Sequence, residues 1–328
     1  MAATSTDPIE RLQARLATGA GRPSKRLLII VNPYATTVSD RLKNLVVYAL
    51  RGSFQVDAID TERRDHATDL CRAAASEGYD LVVAFGGDGT VNEAANGLVG
   101  SDTPLSCLPG GRANVYCRIL GIPTDVVDAT EHLLGLADDW RPRRVDVGRV
   151  NGRHFVFSAG VGLDANVVER VDAHPRLKTR LGEWYYAWVI TRVFNRRYLF
   201  HPPRLQADVD GVSVGGVTAI VQNATPYTYF GNRPVQMGEN VALDSGDLAG
   251  VVLKRANPLD VPTIAARALS PRLRLSKHRR IHPFSGVREL TVASVDERPL
   301  PLQVDGDYIG EATEATFDVV PGGLTVVA

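Results

Sequence analysis

The stretch of sequence that decides the fold is DLVVAFGGDGTVNEAANGLV, residues 80–99. Residues 81–85 form a short continuous apolar run, which is typical of a strand covered on both faces of a sheet. Residues 90–98, bounded by Thr90 and Gly97, are expected to form a short helix. Strand, glycine turn and helix follow one another here, as they do in the repeating unit of α/β domains.

The turn between this strand and this helix carries three glycines and one carboxylate. Gly86, Gly87 and Gly89 leave backbone N–H groups uncovered where the following helix has its positive end, which is how proteins hold phosphate. Asp88 would repel phosphate oxygens unless it holds Mg²⁺, accepts a proton or is hydrogen-bonded by the turn. The turn therefore favours phosphoryl transfer over passive nucleotide binding.

Two familiar glycine motifs are excluded. No Lys-Ser or Lys-Thr pair follows the glycines, so the turn is not a P-loop. The spacing Gly87-Asp88-Gly89 lacks the third glycine of a dinucleotide fingerprint. A bare glycine turn can also simply close a strand and helix unit, so the flanking elements and the other motifs carry the rest of the prediction.

Residues 26–123 repeat the same order of strand and helix. Compact apolar runs predict the strands, and apolar residues on one face predict the helices. The strands are expected at 26–31, 54–59, 81–85 and 104–108, and the helices at 39–50, 65–76, 90–98 and 113–120. Such units predict a doubly wound parallel sheet with ligands at the carboxyl ends of its strands, where the turns 86–90 and 110–114 lie.

From about residue 143 the pattern changes to strands joined by tight turns. Asn151-Gly152, Asp210-Gly211 and Asp305-Gly306 each separate two apolar segments, and such dipeptides predict β-hairpins. The second of these hairpins is expected to pair residues 205–209 with residues 212–221. This half of the chain is therefore predicted to be mostly antiparallel, as a β-sandwich.

Length and composition predict two domains of a soluble globular protein. A chain of 328 residues exceeds one ordinary core, and its hydrophobic content is 44%. The expected segments are a flexible N-terminal segment at 1–25, an α/β domain at 26–142, and a β-sandwich at 143–328 whose last strand returns to the first domain.

Charge and cysteine usage exclude several classes of protein. The 37 Lys and Arg residues balance the 37 Asp and Glu residues, which argues against a dedicated nucleic-acid binder. Cys71, Cys107 and Cys117 follow no ligand spacing, so neither a disulfide framework nor a zinc site is indicated and a reducing compartment is expected. No apolar run of about 18 uncharged residues occurs, so a cytoplasmic chain without a transmembrane segment is expected.

The ordered motifs resemble those of the diacylglycerol kinase-type lipid kinases, within the bacterial diacylglycerol and sphingosine kinase superfamily. Gly-Gly-Asp-Gly-Thr at 86–90 is the signature that this superfamily shares with NAD kinases and phosphofructokinases. The motifs are, in order, Asn32-Pro33, Thr61, 86–90 with Asn92-Glu93, 109–114 with 120–123, 158–164, 243–248 and Asp305-Gly306-Asp307. The resemblance covers nearly all of the chain.

The resemblance implies an enzyme that uses ATP and Mg²⁺ to phosphorylate a lipid hydroxyl such as that of diacylglycerol. It implies a nucleotide site on the α/β catalytic domain and makes the β-sandwich the lipid-substrate domain. The residues implied at the nucleotide site are Asn32, Thr61, Gly86, Gly87, Asp88, Gly89, Thr90, Asn92, Glu93, Gly110, Gly111, Arg112 and Asn114.

Two members of this set allow a second interpretation. Thr61, taken alone, could equally be a strand-end or helix-capping hydroxyl. Arg112 stands where the family usually has threonine or serine. Its guanidinium suits phosphate geometry and could add charge to the phosphate site, or it could face solvent.

The dipeptide Asp305-Gly306, followed by Asp307, allows a structural and a catalytic interpretation. Asp-Gly between alternating apolar residues is a hairpin signal that needs no chemistry. The family usually has Asp-Gly-Glu here, and the resemblance implies that the second acid takes the proton of the lipid hydroxyl. The catalytic residues implied by the resemblance are therefore Asp88, Asp305 and Asp307.

A turn at residues 243–248 matches the segment in which the family holds a structural Mg²⁺ through an Asp just before the glycine. Ser245 occupies that position here. Asp244 and Asp247 flank it and could supply the carboxylate oxygens that a hard cation needs. The other interpretation is that both are solvated turn acids.

Two segments could contact a membrane surface. An aromatic-rich helix is expected at 179–194, and residues 271–280 alternate basic and apolar side chains, although core packing and ordinary solvated charges also explain them. The expected partner is a lipid substrate at the inner face of the membrane, not nucleic acid, and a homodimer is allowed. The alternatives are an NAD kinase-like kinase of a soluble substrate and a nucleotide-binding regulator without turnover.

Overall fold

The computed structural model describes residues 25–172, 204–255, 257–270 and 272–328. These residues divide into two units: one holds the described residues up to Val145 together with Gly323–Ala328, and the other is Asp146–Gly322. Two expected features lie outside the described residues, namely the flexible N-terminal segment, of which only Lys25 is described, and the helix at 179–194.

The first unit is an α/β domain built on parallel strands. Its elements are β1 (Arg26–Val31), α1 (Asp40–Leu50), β2 (Gln55–Asp60), α2 (His66–Ser76), β3 (Leu81–Gly86), α3 (Asp88–Leu98), β4 (Leu105–Pro109), α4 (Val115–Ile119) and α5 (Val126–Asp138). The strands lie in the order β2-β1-β3-β4, and each neighbouring pair is parallel. Val326, close to the C-terminus, pairs in parallel with Leu105 of β4. The predicted parallel sheet is confirmed.

Burial explains why the central strands read as apolar runs. Every residue of β3 is buried, whereas β2 lies at the edge of the sheet and exposes most of its residues. Two helix starts differ from the sequence prediction by two residues. The helix after β3 begins at Asp88 rather than Thr90, because Gly87 already provides the extended N-cap residue. The next helix begins at Val115 rather than 113, because Asn114 has a left-handed backbone with φ 45°.

The second unit consists mainly of antiparallel strands. Its elements are β5 (Arg143–Val150, from Asp146 on), β6 (Arg153–Phe155), β7 (Ser158–Gly162), α6 (Leu163–Asp172), β8 (Leu205–Val209), β9 (Val212–Gly216), β10 (Thr218–Gln222), β11 (Thr228–Phe230), β12 (Arg233–Val235), β13 (Leu248–Leu253), α7 (Val261–Ala268), β14 (Ile281–Val287), β15 (Glu289–Ser294), β16 (Leu300–Val304), β17 (Asp307–Ala312) and β18 (Glu314–Val326, whose last residues belong to the first unit). No described helix of the chain is both long enough and apolar enough to cross a membrane.

Two sheets of this unit share one core. One sheet has the order β14-β13-β10-β7-β16-β17 among the described residues, and the other includes β18, β15, β8 and β9. Buried side chains of both sheets, such as Val161, Leu302 and Leu290, belong to one apolar cluster. Phe155 and Phe317 meet edge to face there, with ring centroids 6.5 Å apart. This is the packing of a β-sandwich.

The tight turns have the backbone that their dipeptides predict. In Asn151-Gly152, Asp210-Gly211 and Asp305-Gly306 both residues have positive φ, between 47° and 87°. Such pairs match the twist of the strands that they join. The prediction of one strand at 212–221 is wrong, because the chain changes sheets at Val217 and β9 and β10 lie in different sheets.

Candidate active site

Two glycine turns contact each other at the carboxyl ends of β3 and β4. The N–H of Gly110 donates to the carbonyl oxygen of Gly86, 2.8 Å away. A Cβ atom on Gly110 would lie 2.8 Å from the Cα of Gly86, and one on Gly111 would lie 2.8 Å from the Cα of Gly87. Only glycine allows this approach of the two backbones. These four residues are the glycine cradle.

Asn32, which follows β1, braces the first turn of the cradle through a hydrogen bond to Thr90. Its side-chain Nδ2 donates to the hydroxyl of Thr90, 3.0 Å away, and its Oδ1 accepts from the N–H of Tyr34 at 3.0 Å. A Cβ on Gly86 would lie 2.5 Å from the Thr90 hydroxyl oxygen. Asn32 and Thr90 were predicted at the nucleotide site, and in the structure their side chains brace the turn.

Asn114 closes the second turn of the cradle. Its Oδ1 accepts from the N–H of Gly111 and its Nδ2 donates to the carbonyl of Gly111, each at 2.8 Å. The side chain is buried. The carbonyl of Gly110 also accepts from the N–H of Thr37, 3.1 Å away. The amide of Asn114 therefore fixes the shape of this turn.

Asp88 is the first residue of α3, and it connects that helix to α4. Its Oδ1 accepts from the N–H of Tyr116, 3.1 Å away, and the N–H of Val115 also contributes. Asn114 gives α4 no side-chain cap, so the carboxylate of Asp88 takes that role. Burial raises the pKa of Asp88 above its ordinary value, while the hydrogen bonds from Tyr116 and Val115 lower it in part.

Glu93 plays a comparable part toward α2. Its Oε2 accepts from the N–H of Ala67 in the first turn of α2, 3.3 Å away, and its carbonyl accepts from the Thr68 hydroxyl at 2.8 Å. Asp65 precedes that helix with a left-handed backbone and provides no side-chain cap. The carboxylate of Glu93 thus serves packing between two helices of the domain.

The other predicted nucleotide residues differ in exposure. Thr61 follows β2, is buried, and donates its N–H to the carbonyl of Val31 at 2.8 Å. Asn92 is buried within α3, where its Oδ1 accepts from the side chain of Asn96 at 3.1 Å. Arg112 is exposed at the second glycine turn.

Cys107 and Cys117 form a pair that the sequence spacing did not reveal. They lie on β4 and α4, both buried, and the thiol of Cys117 donates to the sulfur of Cys107 at 3.0 Å. This hydrogen bond and, as the second cause, burial raise the pKa of Cys107 well above its ordinary value. A strand and a helix bring the two residues together across a turn, which no linear motif indicates.

In the second unit, Asp305 is enclosed by backbone donors. Its carboxylate accepts from the N–H groups of Val156, Phe157 and Ser158 at 2.7, 3.0 and 3.0 Å. Its own N–H donates to the carbonyl of Ser158 at 2.7 Å. Only 3% of Asp305 is exposed. The carboxylate therefore fixes the hairpin to the chain that enters β7.

Asp307 has a different environment two residues later. It opens β17, opposite Val304, and is half-buried. The turn before it is closed by the N–H of Gly306, which donates to the Gln303 side-chain oxygen at 2.9 Å. We call Asp305, Gly306 and Asp307 the acidic hairpin. Its first acid is buried under backbone amides, and its second is partly open to solvent.

The turn at 243–248 is organised by Asp146, a residue that the sequence did not single out. The Oδ2 of Asp146 accepts from the N–H of Gly246 at 2.6 Å, and its Oδ1 accepts from the N–H of Gly322 at 2.7 Å. The hydroxyl of Ser245 donates to the carbonyl of Ala242 at 3.0 Å. Asp146 is buried, so its carboxylate fixes the shape of this turn through those two hydrogen bonds.

The two acids predicted to hold Mg²⁺ in this turn differ in exposure. Asp244 is exposed, and Asp247 is half-buried with one buried carboxylate oxygen, Oδ1, that lacks a hydrogen-bond partner. Within the described part of the chain, no three or more His, Cys, Asp or Glu residues group as cation ligands would. The assignment of Mg²⁺ to Asp244 and Asp247 therefore stays a prediction.

Comparison with known proteins agrees with the motif order. Residues 26–150 match the family model described as the diacylglycerol kinase catalytic domain. Over 295 residues the chain is 28% identical to the diacylglycerol kinase of Bacillus subtilis, covering 87% of this chain and 91% of that one. Residues 26–150 are therefore a catalytic domain of the diacylglycerol kinase family. The glycine cradle lies within the matched catalytic domain, and the acidic hairpin lies after it.

Other similar proteins extend over the same length. A diacylglycerol kinase of Staphylococcus saprophyticus is 25% identical over 296 residues, which cover 88% of this lipid kinase and 90% of the relative. A crystal structure from Bacillus anthracis, described provisionally as a diacylglycerol kinase, is 27% identical with a TM-score of 0.72. It covers 92% of this chain and 97% of its own. The similarity therefore includes both units.

Proposed function

We propose that this lipid kinase transfers the γ-phosphoryl group of ATP, delivered with Mg²⁺, to the hydroxyl of a membrane lipid, with diacylglycerol as the first acceptor to test. The observation that carries the proposal is the glycine cradle, in which two turns meet at the carboxyl ends of parallel strands inside a diacylglycerol kinase catalytic domain. Ligands of open α/β sheets bind at such ends.

The proposed phosphate contacts are backbone N–H groups of the first turn of α3. Gly87, the N-cap residue of that helix, provides no side-chain cap. First-turn N–H groups that lack a cap are donors for phosphate oxygens, and the helix dipole favours negative charge there. Glycine at this turn lets an oxygen approach the backbone closely.

Asp88 is proposed to act on the phosphates from the same turn. The hydrogen bond that its carboxylate accepts from the N–H of Tyr116 fixes the start of α4 relative to α3, and so fixes the second glycine turn relative to the first. The N–H groups of Tyr116 and Val115 that its carboxylate accepts offset part of the negative charge that would otherwise repel phosphate. The rate would then depend on the position of these groups and on charge stabilisation.

Asp307 is proposed as the base that accepts the proton of the lipid hydroxyl. The carboxylate of Asp305 already accepts three backbone N–H bonds, and the residue is only 3% exposed, so Asp305 is closed to a substrate hydroxyl. Asp305 is therefore proposed as a positioning residue, which holds the hairpin on which Asp307 lies. Asp307 is half-buried, as a base that must meet a substrate would be.

Transfer of labelled phosphate from ATP tests this proposal. The acceptors compared are diacylglycerol in vesicles, a sphingoid base in vesicles, NAD in solution and vesicles without acceptor. We expect label in the lipid product and none in NAD. Label in NAD would indicate a kinase of a soluble substrate, and ATP binding without transfer to any lipid would indicate a regulator; either result overturns the proposal.

A further inference from the structure

Residues 254–280 concentrate positive charge in the second unit. The whole chain has 37 basic and 37 acidic residues, yet this stretch contains eight Lys or Arg residues and a single acid, Asp260. We call the described residues of this stretch the basic layer. Such an imbalance within a neutral chain favours contact with a negatively charged surface.

The basic layer packs on one face of the six-stranded sheet. Ile264 of α7 and Leu275 of a short 3₁₀ turn pack with Ile220 of β10, Val251 of β13 and Ile281 of β14. Other side chains of β10 and β13 face the sandwich core. The layer thus covers the face of the sheet that points away from that core.

Hydrogen bonds hold the parts of the layer together. The Nη1 of Arg267, at the end of α7, donates to the carbonyl of Arg274 at 3.0 Å. The hydroxyl of Thr263 lies 3.1 Å from the Nε2 of His278. Helix α7 and residues 272–280 therefore form one body.

The single acid of the layer is neutralised internally. Asp260 is buried and forms ion pairs with Arg279 at 2.9 Å and Arg280 at 3.1 Å. The hydrogen bond from Arg279 lowers the pKa of Asp260 below its ordinary value. Arg272 and Lys277 are exposed on the same layer. The outward charge of the layer is therefore positive.

Two leucines of the layer are exposed. Leu259 is 83% exposed and Leu273 is 48% exposed. Leu273 lies between Arg272 and Arg274 in the sequence, and Leu259 precedes Asp260. Exposed leucines on a basic surface, with basic residues directly beside one of them as at 272–274, are typical of surfaces that enter the headgroup region of a bilayer.

We propose that the basic layer docks on a bilayer containing anionic phospholipid, with Leu259 and Leu273 in the headgroup boundary and the exposed cations on lipid phosphates. The docking surface rests on the proposed function, since a bilayer is what presents a lipid acceptor to the enzyme. The exposed leucines favour a bilayer over nucleic acid, which offers them no apolar phase.

Vesicle sedimentation of the full chain tests the docking directly. Vesicles of phosphatidylcholine alone are compared with vesicles of an equal mixture of phosphatidylcholine and phosphatidylglycerol. Two variants address the layer: Leu259→Ser with Leu273→Ser, and Arg272→Gln with Lys277→Gln. The matched control is Val212→Ser with Val295→Ser, which changes side chains of the same unit that are 54% and 56% exposed outside the layer.

We expect the wild type and the control to bind the mixed vesicles and each layer variant to bind about tenfold more weakly or worse, with unchanged melting. Equal binding to both kinds of vesicle overturns the proposal, as does unchanged binding by both layer variants. Binding of a DNA duplex that survives the leucine substitutions and competes with vesicles also overturns it, because the surface would then serve nucleic acid.

An activity measurement separates failure of the docking surface from failure of the proposed function. The acceptors are a short-chain diacylglycerol dissolved as monomers and a long-chain diacylglycerol in vesicles. Layer variants are expected to keep the rate on the dissolved acceptor and to lose it on vesicles. Equal loss on both acceptors overturns the docking surface, whereas a wild type that binds vesicles but phosphorylates neither acceptor refutes only the kinase proposal.

Discussion

In the first unit Asp88, beside the glycine cradle, accepts backbone N–H groups, and in the second unit Asp305 of the acidic hairpin does the same. Asp88 is half-buried and connects two helices through the N–H of Tyr116. Asp305 is almost completely buried and accepts three N–H groups of one chain segment. A motif acid can therefore be a structural ligand of the backbone, and the extent of its enclosure indicates how far it can also act on a substrate.

The largest effect is expected at Asp307. Asp307→Asn should leave ATP binding intact and lower lipid phosphorylation by about two to four orders of magnitude, because the proton acceptor is lost. Asp307→Glu, the residue usual in the family, should retain substantial activity. Initial rates with saturating ATP measure this, with exposed Glu311→Gln on the same strand as the control. An active Asp307→Asn enzyme would show that Asp307 is not the base.

Asp305→Ala should mainly reduce stability. It would leave three buried N–H groups without an acceptor, and we expect a loss of about 3 kcal/mol or more in the free energy of unfolding. Chemical denaturation measures it. Asp210→Ala is the matched control, because Asp210 begins an Asp-Gly turn with the same φ of 49° but is exposed. Equal losses in the two variants would contradict the structural role of the Asp305 carboxylate.

Variants of Asp88 should distinguish a structural role of this residue from a role in catalysis. Asp88→Asn keeps an oxygen that can accept from Tyr116, so melting should change little while turnover falls about a hundredfold. Asp88→Ala should in addition lose about 1 kcal/mol of stability with the helix cap. Asp40→Asn, at the exposed first residue of α1, is the control. Wild-type turnover in Asp88→Asn would leave Asp88 with the structural role alone.

The smallest effect is expected at Arg112. Arg112→Thr restores the residue usual in the family and removes an exposed charge beside the cradle, so ATP binding should weaken only several-fold. The salt dependence of binding should also become flatter, since a screened charge is gone. Titration at low and high salt measures both, with exposed Arg51→Thr as the control. Unchanged affinity for ATP at both salt concentrations would mean that Arg112 faces solvent and does not interact with the phosphates of ATP.

The sequence predicted the parallel α/β domain and the antiparallel domain because their signals are local. The apolar run of β3 and the three Asn-Gly or Asp-Gly turns adopt the conformations that their own residues favour. The single strand expected at 212–221 was wrong, because the change of sheet at Val217 depends on which strands flank it and not on its composition. Both glycine turns of the candidate site were also found in the sequence, since their conformation requires glycine.

What the sequence alone determined is therefore the elements of the α/β domain, the three Asn-Gly or Asp-Gly turns and the family motifs. The tertiary structure decided what each motif side chain contacts. Asp88 meets Tyr116 across 28 residues, Asp305 meets Val156 across 149, and Asp146 meets Gly322 across 176. Periodicity and turn preference act within a few residues, whereas a buried carboxylate takes whichever N–H groups the packed chain brings to it. For this reason the structural roles of these acids emerged only from the folded chain.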